Sequence, residues 1–477
     1  MVEMATAKEV LAMIQEKGIK MIDVKFVDLP GVFHHLTVPA AVIDEEILTK
    51  GMPFDGSSIR GFRGIAESDM VLLPDLDTVV FDPFVEGPTL SMFVDVKEPG
   101  LKDYIRDPRG VAKRAEQYLK DSGIADVSYW GPELEFFMFD NVRFQTGPDA
   151  SFYFIESGEA HWNVGRGDLP NSGYKVKYQQ GYFRALPIDD QTNIRTAMSL
   201  QLQEMGFVVE RHHHEVASAG QNEINFRFST LTDAADKAAM YKYVIKNVAR
   251  TYGKTVTFMP KPLYKNSGSG MHCNQSLAKG GTNLFYQEGG YANLSQLALW
   301  YIGGILKHAP ALLALTNPTT NSYKRLVPGY EAPVNLVFSK GNRSAAIRIP
   351  SNFSTAKTTR IEFRTPDPMA NPYLAFAAQL MAGLDGIRNK IDPTAAGFGP
   401  IDKDIYHLTD EEKAKIGAVP TSLRRVVDAL KEDHEFLLQG GVFSQELIDT
   451  WIALKEEEIS ALETRPQPVE FEMYFDN

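Results

Sequence analysis

Four short segments carry polar residues at every second position, the spacing that puts side chains on one face of a β-strand. In Glu133-Leu134-Glu135-Phe136-Phe137-Met138 both glutamates share a face, opposite Leu134, Phe136 and Met138. In Glu223-Ile224-Asn225-Phe226-Arg227-Phe228, Glu223, Asn225 and Arg227 oppose Ile224, Phe226 and Phe228. His272, Asn274 and Ser276 share a face of Met271–Leu277, and Arg360, Glu362 and Arg364 one face of Arg360–Arg364. A strand with one wet face is ordinary in antiparallel sheets. Such faces usually carry Lys and Thr, whereas these carry Glu, Arg, His and Asn, with Gly220, Gly268 and Gly270 nearby to allow close backbone approach.

That inventory points to metal ions. Glu133, Glu135, Glu215, Glu223 and Glu362 supply carboxylates and His272 an imidazole. Clustered carboxylates repel and take up protons unless cations neutralise them. Oxygen-rich ligation with one nitrogen favours Mg²⁺ or Mn²⁺ over Zn²⁺. Arg325, Arg343, Arg348, Arg360 and Arg364, with Lys357, add groups suited to carboxylates and phosphates. Metals and arginines around a polyphosphate are the layout of phosphoryl transfer.

Competing motifs fail. Gly253-Lys254-Thr255 has Val248 where a P-loop needs its first glycine, and Gly268-Ser269-Gly270 has Cys273 where a dinucleotide fingerprint needs its third. Of His212-His213-His214, only His213 faces the same way as Glu215, so His212 and His214 are read as packing residues. Cys273 points away from His272 and is read as a core thiol.

These segments must be positioned by a mixed framework. Residues 1–106 read as a small α+β unit, with a helix over Ala7–Lys17, strands over Met21–Asp28, Val79–Asp82 and Thr89–Val96, and a Gly- and Ser-rich loop over Phe54–Gly64. Asp107-Pro108 opens a helix and a larger unit, 107–477. Helices are expected over Thr230–Arg250, Leu294–Ala309, Pro372–Asn389 and Ser444–Ile459. Strands and helices do not alternate regularly, so the expected fold is α+β with an antiparallel sheet. The alternation of Val469, Phe471, Met473 and Phe475 with Glu470, Glu472 and Tyr474 predicts a C-terminal strand whose apolar face needs a cover, in a partner or by self-docking.

Bulk properties narrow the class. The chain has 477 residues, 44% hydrophobic and 23% charged, enough for a large core without disulfides. Cys273 is its single cysteine, which suits a reducing compartment. The net charge of −12 argues against nonspecific nucleic-acid binding. Met1–Gln15 lacks the uncharged core of a secretory leader, and the longest apolar run, Ala309–Thr316, is too short for a membrane span. A cytoplasmic protein is expected.

Several runs then stand in a telling order. They are Phe54-Asp55-Gly56-Ser57-Ser58, Gly131-Pro132-Glu133-Leu134-Glu135, His213-His214-Glu215-Val216, Gly220-Gln221-Asn222-Glu223, Lys254-Thr255-Val256-Thr257-Phe258-Met259-Pro260-Lys261-Pro262, Gly270-Met271-His272, Asn321–Pro333 and Asn342-Arg343-Ser344. In this order they resemble the glutamine synthetases of the bacterial type I class nearly end to end. The resemblance implies a β-grasp-like N-terminal domain and a catalytic domain with a curved antiparallel sheet. It implies ligation of ammonia to the side-chain carboxylate of L-glutamate through γ-glutamyl phosphate, with ATP as phosphoryl donor. Glu135, Glu215 and Glu223 would hold one metal, and Glu133, His272 and Glu362 a second. ATP would meet Glu210, Phe228, Ser276, Arg348, Lys357 and Arg360. Glutamate would sit near Ser267, Gly268, Arg325 and Arg364, with Arg343 stabilising the moving phosphoryl group. Asp55 of a neighbouring subunit would take a proton from ammonium, and Glu331, on a flap, would close the site and accept a proton from the adduct. A dodecamer of two hexameric rings is implied.

Some positions depart from that pattern. The family's usual Asn-Gly is here Ser267-Gly268, a shorter donor for glutamate unless a water bridges. Cys273-Asn274 follows the metal histidine in place of Cys-His, and Phe62 stands for an aromatic near the adenine, often tryptophan. Tyr406 matches the loop that some members adenylylate, but the following run differs, and a plain exposed tyrosine is the alternative. Two other readings remain. A ligase joining glutamate to an organic amine is disfavoured by Asp55, and a noncatalytic sensor by Glu331, Arg343 and a complete ligand set.

Overall fold

The fold follows from which face each strand hides. The computed structural model describes residues 5–165, 167, 171–330, 332–350, 355–403, 409, 411 and 416–476, so Glu331 and Tyr406 lie outside the described residues.

Helix α1 (Ala7–Glu16) begins at a capping box, Thr6 accepting from the Glu9 amide while the Glu9 carboxylate accepts from the Thr6 amide. Seven strands follow: β1 (Met21–Val27), β2 (Phe33–Pro39), β3 (Met52–Asp55), β4 (Asp69–Pro74), β5 (Val80–Phe81), β6 (Thr89–Glu98) and β7 (Lys102–Asp103), with α2 (Glu45–Lys50) between β2 and β3. Their order is β2-β1-β6-β4-β3, with β5 and β7 also on β6. β1 and β6 run parallel. Ile22, Val24, Leu72 and Val94 bury one face beneath Val10 and Ile14 of α1. Phe62 belongs to this core, packed on Phe26 and Tyr104. The expectation of an adenine-facing aromatic there is therefore corrected, because the ring is spent on the core.

Asp107 caps α3 (Pro108–Asp121), accepting from the Arg109 and Gly110 amides. The large sheet is built on β8 (Val127–Phe139). The hairpin β9 (Asn141–Thr146) and β10 (Ser151–Glu156) stands apart from it as a two-stranded sheet. Helix α4 (Thr192–Glu204), strands β11 (Val209–His214), β12 (Gln221–Phe226) and β13 (Ser229–Thr230), helix α5 (Leu231–Thr251), and strands β14 (Thr255–Thr257), β15 (Met271–Lys279) and β16 (Thr282–Asn283) come next. They are followed by α6 (Gln296–Thr316), α7 (Ser322–Arg325), β17 (Asn335–Lys340), β18 (Ala345–Ile349), β19 (Ile361–Phe363) and α8 (Pro372–Arg388). The described chain ends with α9 (Leu423–Glu432), α10 (Glu435–Leu438), α11 (Gln445–Glu463) and α12 (Pro468–Tyr474).

The large sheet runs β11-β12-β8-β15-β19-β18-β17, with β13 and β14 also on β8 and β16 on β15. Leu134, Phe136 and Met138 bury the apolar face of β8 against a core shared with α5, α6 and α8. The opposite face, with Glu133 and Glu135, is left for other use.

Four expectations need correction. β17 and β18 pair in parallel, so the sheet is not antiparallel throughout. α6 continues past Ala309 through Pro310, because Ala311–Leu315 are buried and packing outweighs the lost backbone bond. α6 is long and apolar enough to span a membrane by composition, with mean hydropathy 1.3, yet 72% of that stretch is buried within the chain, as a core helix would be. Val469–Tyr474 is helix and not strand: Pro468 takes the first helical position and Gln467 with Glu470 closes a capping box, local signals that outweigh the alternation.

Candidate functional site

Register gathers the polar faces. Residues directly opposite in an antiparallel ladder share a face. Glu223 lies opposite Glu135, His213 opposite Glu223, His272 opposite Glu133, and Glu362 opposite both Asn274 and Arg348. All six expected metal ligands line one cavity of about 370 Å³, together with Ser267, Gly268, Arg325, Arg343, Arg348, Arg360 and Arg364.

The ligand atoms fall into two groups, each within 4.8 Å: Glu133, His272 and Glu362, and His213, Glu215 and Glu223. His272 Nδ1 lies 3.5 Å from Glu133 Oε2 and 3.6 Å from Glu362 Oε1. His213 Nδ1 lies 3.4 Å from Glu215 Oε1, and its Nε2 3.5 Å from Glu223 Oε2. The two gaps from His272 Nδ1 are near the roughly 3 Å between two ligand atoms bound at right angles to a small cation at ~2.1 Å, whereas His213 turns different nitrogens to Glu215 and Glu223 and can offer only one of them to an ion. His213 thus stands where Glu135 was expected. Glu135 Oε2 instead accepts from the Gly270 amide at 2.9 Å and from Gln221 Nε2 at 3.0 Å.

The electrostatics fit cations. Burial and the charge of Glu215 push the Glu135 carboxyl up to about 8. Burial, then Glu133, Glu215 and Glu135, push Glu223 well above the usual range. Burial lowers His213 to about 4 and takes His272 well below its usual value, so both imidazoles keep a free lone pair. Carboxylates short of counter-charge beside neutral imidazoles fit divalent metal ions.

A cationic wall faces them. Arg364 bonds Glu362 Oε1, and Arg348 Nη1 bonds Glu362 Oε2 at 2.5 Å. Burial alone would raise Glu362, but these guanidiniums, Arg364 first, hold it low. Arg325 is anchored by the Thr365 carbonyl at 2.7 Å and the Arg364 carbonyl at 3.1 Å. Gly270 makes this possible, since a Cβ there would sit 2.6 Å from Arg325 Nη2 and 2.8 Å from His272 Nε2. Arg360 Nε donates to Asn274 Oδ1 at 2.8 Å, and Asn274 Nδ2 to Glu133 Oε1 at 3.0 Å. Ser267 is buried, and its Oγ has no hydrogen-bond partner among the described residues.

Other expected residues lie outside the cavity lining. β12 ends at Phe226, so Phe228 turns outward, 55% exposed and edge-on to Tyr129. Ser276 lies opposite Tyr129 on β15, and Gly131 places both Phe228 and Asn274 within 4 Å of its Cβ position, so this shelf adjoins the cavity. Glu210, on β11, has Arg227 at 3.9 Å, and Lys357 is exposed. Asp55 is exposed at the end of β3 in the N-terminal sheet; bonds from Ser57 lower its carboxyl.

Sequence reasoning missed Gln221, Arg211 and Tyr182 in the lining; it put His213 on the face of Glu215 without counting it among the candidate ligands, where its ring nitrogens now stand. Gln221 was findable, two positions before Glu223 on the same face. Tyr182 comes from an irregular segment, where no period exists to read.

Two family models match: the glutamine synthetase β-grasp domain over residues 18–99 and the glutamine synthetase catalytic domain over 105–474. The glutamine synthetase of Streptomyces filamentosus is 55% identical, covering 98% of this chain and 99% of its own. That of Mycobacterium tuberculosis is 52% identical over 99% of each chain. Among solved structures, Plasmodium falciparum glutamine synthetase matches with TM-score 0.89 at 30% identity over 99% of both chains. A GmaS–ADP complex matches with TM-score 0.81 at 27% identity, over 98% of this chain and 99% of its own. On both the family models and the full-length relatives, the chain belongs to the glutamine synthetase family.

Proposed function

We propose that this chain makes L-glutamine from L-glutamate, ammonia and ATP, with Mg²⁺ or Mn²⁺ held by two ligand clusters. The observation that carries this is one cavity in which two oxygen-rich clusters face six arginines. Glu133, His272 and Glu362 would hold one ion, and Glu215 and Glu223 the other, with His213 and Glu135 as competing third ligands. The ions supply neutralising charge to the phosphates when bound.

The chain's own residues do the rest. Arg325 and Arg364 orient glutamate, with Ser267 and Gly268 at its edge. Arg348 and Arg360 steady the ATP phosphates, with Lys357 and Glu210 outside them and Phe228 and Ser276 forming the shelf for the base. A glutamate side-chain oxygen attacks the γ-phosphorus and ADP leaves, giving γ-glutamyl phosphate. Arg343 neutralises charge on the phosphoryl group in transit. Asp55 takes a proton from ammonium, ammonia attacks the acyl carbon, Glu331 accepts a second proton from the adduct, and phosphate departs. Glu331 screens the acyl phosphate from water.

Asp55 is absent from the lining of its own chain's cavity, which supports a site completed by a second copy. An apolar surface supports assembly too. Phe471 and Phe475 at the C-terminus and Phe144 and Tyr153 on the β9–β10 hairpin are exposed. The assembly we infer is two stacked hexameric rings of a type I enzyme, in the cytoplasm, dividing each chain at 106/107, with Tyr406 as an adenylylation site.

Phosphate and glutamine are measured with ATP, Mg²⁺ and glutamate, with and without ammonium. Both rising together only with ammonium is expected. Phosphate without glutamine, or product only with an added amine, would overturn the assignment. Sedimentation velocity reads the assembly, and a monomer would sink that part.

A further inference from the structure

The strand that delivers His213 to the cavity turns His214 to the other side, where it is 1% exposed and meets Glu159, also 1% exposed. Glu159 comes from the irregular segment between β10 and α4. His214 Nε2 lies 2.9 Å from Glu159 Oε1, and His214 Nδ1 lies 2.6 Å from the carbonyl oxygen of Glu215. A carbonyl only accepts, so His214 Nδ1 carries the hydrogen and donates. Burying a carboxylate against an imidazole is costly unless close hydrogen bonds offset the lost hydration, as both ring nitrogens of His214 make here.

The same segment grips this turn at two more points. The Gly181 amide donates to the Val216 carbonyl at 3.2 Å, and the Phe183 amide to the His214 carbonyl at 3.1 Å. A Cβ at residue 181 would lie 2.3 Å from the Glu215 oxygen and 2.6 Å from the His214 ring, so only glycine lets the two chains close. On the cavity side the Glu215 amide donates to the Gln221 carbonyl at 2.8 Å, and Glu215 Oε2 accepts from the Val216 amide at 2.9 Å. The Glu215 backbone is thus fixed from both sides, and its carboxylate has little freedom.

We propose that Glu159, acting through His214, is a positioning residue that fixes Glu215 for metal binding in the His213–Glu215–Glu223 cluster. This rests on the metal reading above. Partners that orient a metal ligand commonly change affinity by about 10–100-fold when removed. Among the described residues Glu159 bonds His214 and none of Glu133, His272 and Glu362, so the effect is confined to one ion.

The test is Mn²⁺ titration of the purified full-length chain, reading free Mn²⁺ by electron paramagnetic resonance, with circular dichroism as the check on folding. The parent chain is expected to bind at least two ions. Glu159→Gln is expected to weaken one of them by about ten-fold or more and to leave another unchanged. Glu159→Asp, which keeps the charge one methylene further back, is expected to lose less, and it is the variant to read if the glutamine form does not fold. In a His272→Gln background, Glu159→Gln should weaken the ion that remains. Unchanged binding in both variants, equal weakening of every ion, or equal loss with Asp and Gln would overturn the proposal while leaving the metal reading intact. A parent chain that binds no Mn²⁺ would overturn that reading, and the positioning role with it.

Discussion

Glu223 stands directly across the ladder from Glu135, so two buried carboxylates face the same cavity from neighbouring strands. Both are raised, Glu135 to about 8, by burial and by neighbouring carboxylates. A raised folded value means that the unfolded chain gives up its protons first. Stability from these groups is therefore complete below about 4.5 and lost as pH rises through about 8. Metal-free chain should melt lower at pH 8.5 than at pH 6, and Mg²⁺ should raise the melting temperature more at pH 8.5. Calorimetry with a chelator or with Mg²⁺ checks this; an equal gain at both pH values would count against it.

Arg109 ties the N-terminal sheet to the helices. It donates to Asp236 of α5 at 2.9 and 2.8 Å, to Asp95 at 2.6 Å and to Asp75 at 2.8 Å, and is itself buried. Removing one partner of a buried charge network leaves the rest uncompensated, at a cost of roughly 3–5 kcal/mol. Arg109→Met should lower stability to urea by about that amount and expose the 1–106 unit to protease ahead of the remainder. Unchanged denaturation would show that the network is not coupled to the fold.

His308 sits between two carboxylates, with Nε2 2.9 Å from Asp385 and Nδ1 2.8 Å from Asp433, its ring stacked on Phe436. Burial would lower it, but the bonds to Asp385 and Asp433 prevail and raise it. Its stabilisation is full below about 6.5, the unfolded value, and fades as pH rises through the folded one. His308→Gln should cost about 1–2 kcal/mol at pH 6 and less at pH 9. Urea midpoints at the two pH values decide it, and a loss independent of pH would mean packing alone.

The faces of Glu133, Glu223, His272 and Glu362 were legible because period two is a property of backbone geometry, and a strand cannot evade it. Which strands lie side by side was not legible, since pairing is set by contacts remote in sequence. His213 shows the consequence. Its face was correct, but only the β11–β12 register places it opposite Glu223 and into the ligand group. The C-terminus failed for the opposite reason: a capping box and Pro468 act within four residues and overrode an alternation that no neighbouring strand supported. Phe62 was misread because aromatic identity says nothing about which side of a loop faces the core.

Ser267 offers the cavity a buried hydroxyl with no partner among the described residues. A hydrogen bond to a charged group contributes about 1.5–3 kcal/mol, so a longer donor here should tighten glutamate. Ser267→Asn should lower the KM for glutamate by roughly ten-fold with little change in kcat, and Ser267→Ala should raise it. A change in kcat alone would place Ser267 in the chemistry and not in binding.

Asp55 and Arg343 provide the test of a shared site. Asp55 belongs to the N-terminal sheet, Arg343 lines the cavity, and Asp55 is not among that cavity's residues. If Asp55 serves a neighbour's cavity, Asp55→Asn and Arg343→Ala chains are each inactive alone. Unfolded together and reassembled, they should regain activity, because some sites then combine an intact Asp55 from one chain with an intact Arg343 from another. The expected recovery is about a quarter of the parent rate for random mixing, one in two for each contributing chain. Glutamine formation before and after co-assembly measures it. Mixtures that stay inactive, although sedimentation shows them to be co-assembled, would place Asp55 outside the reaction or confine each site to a single chain.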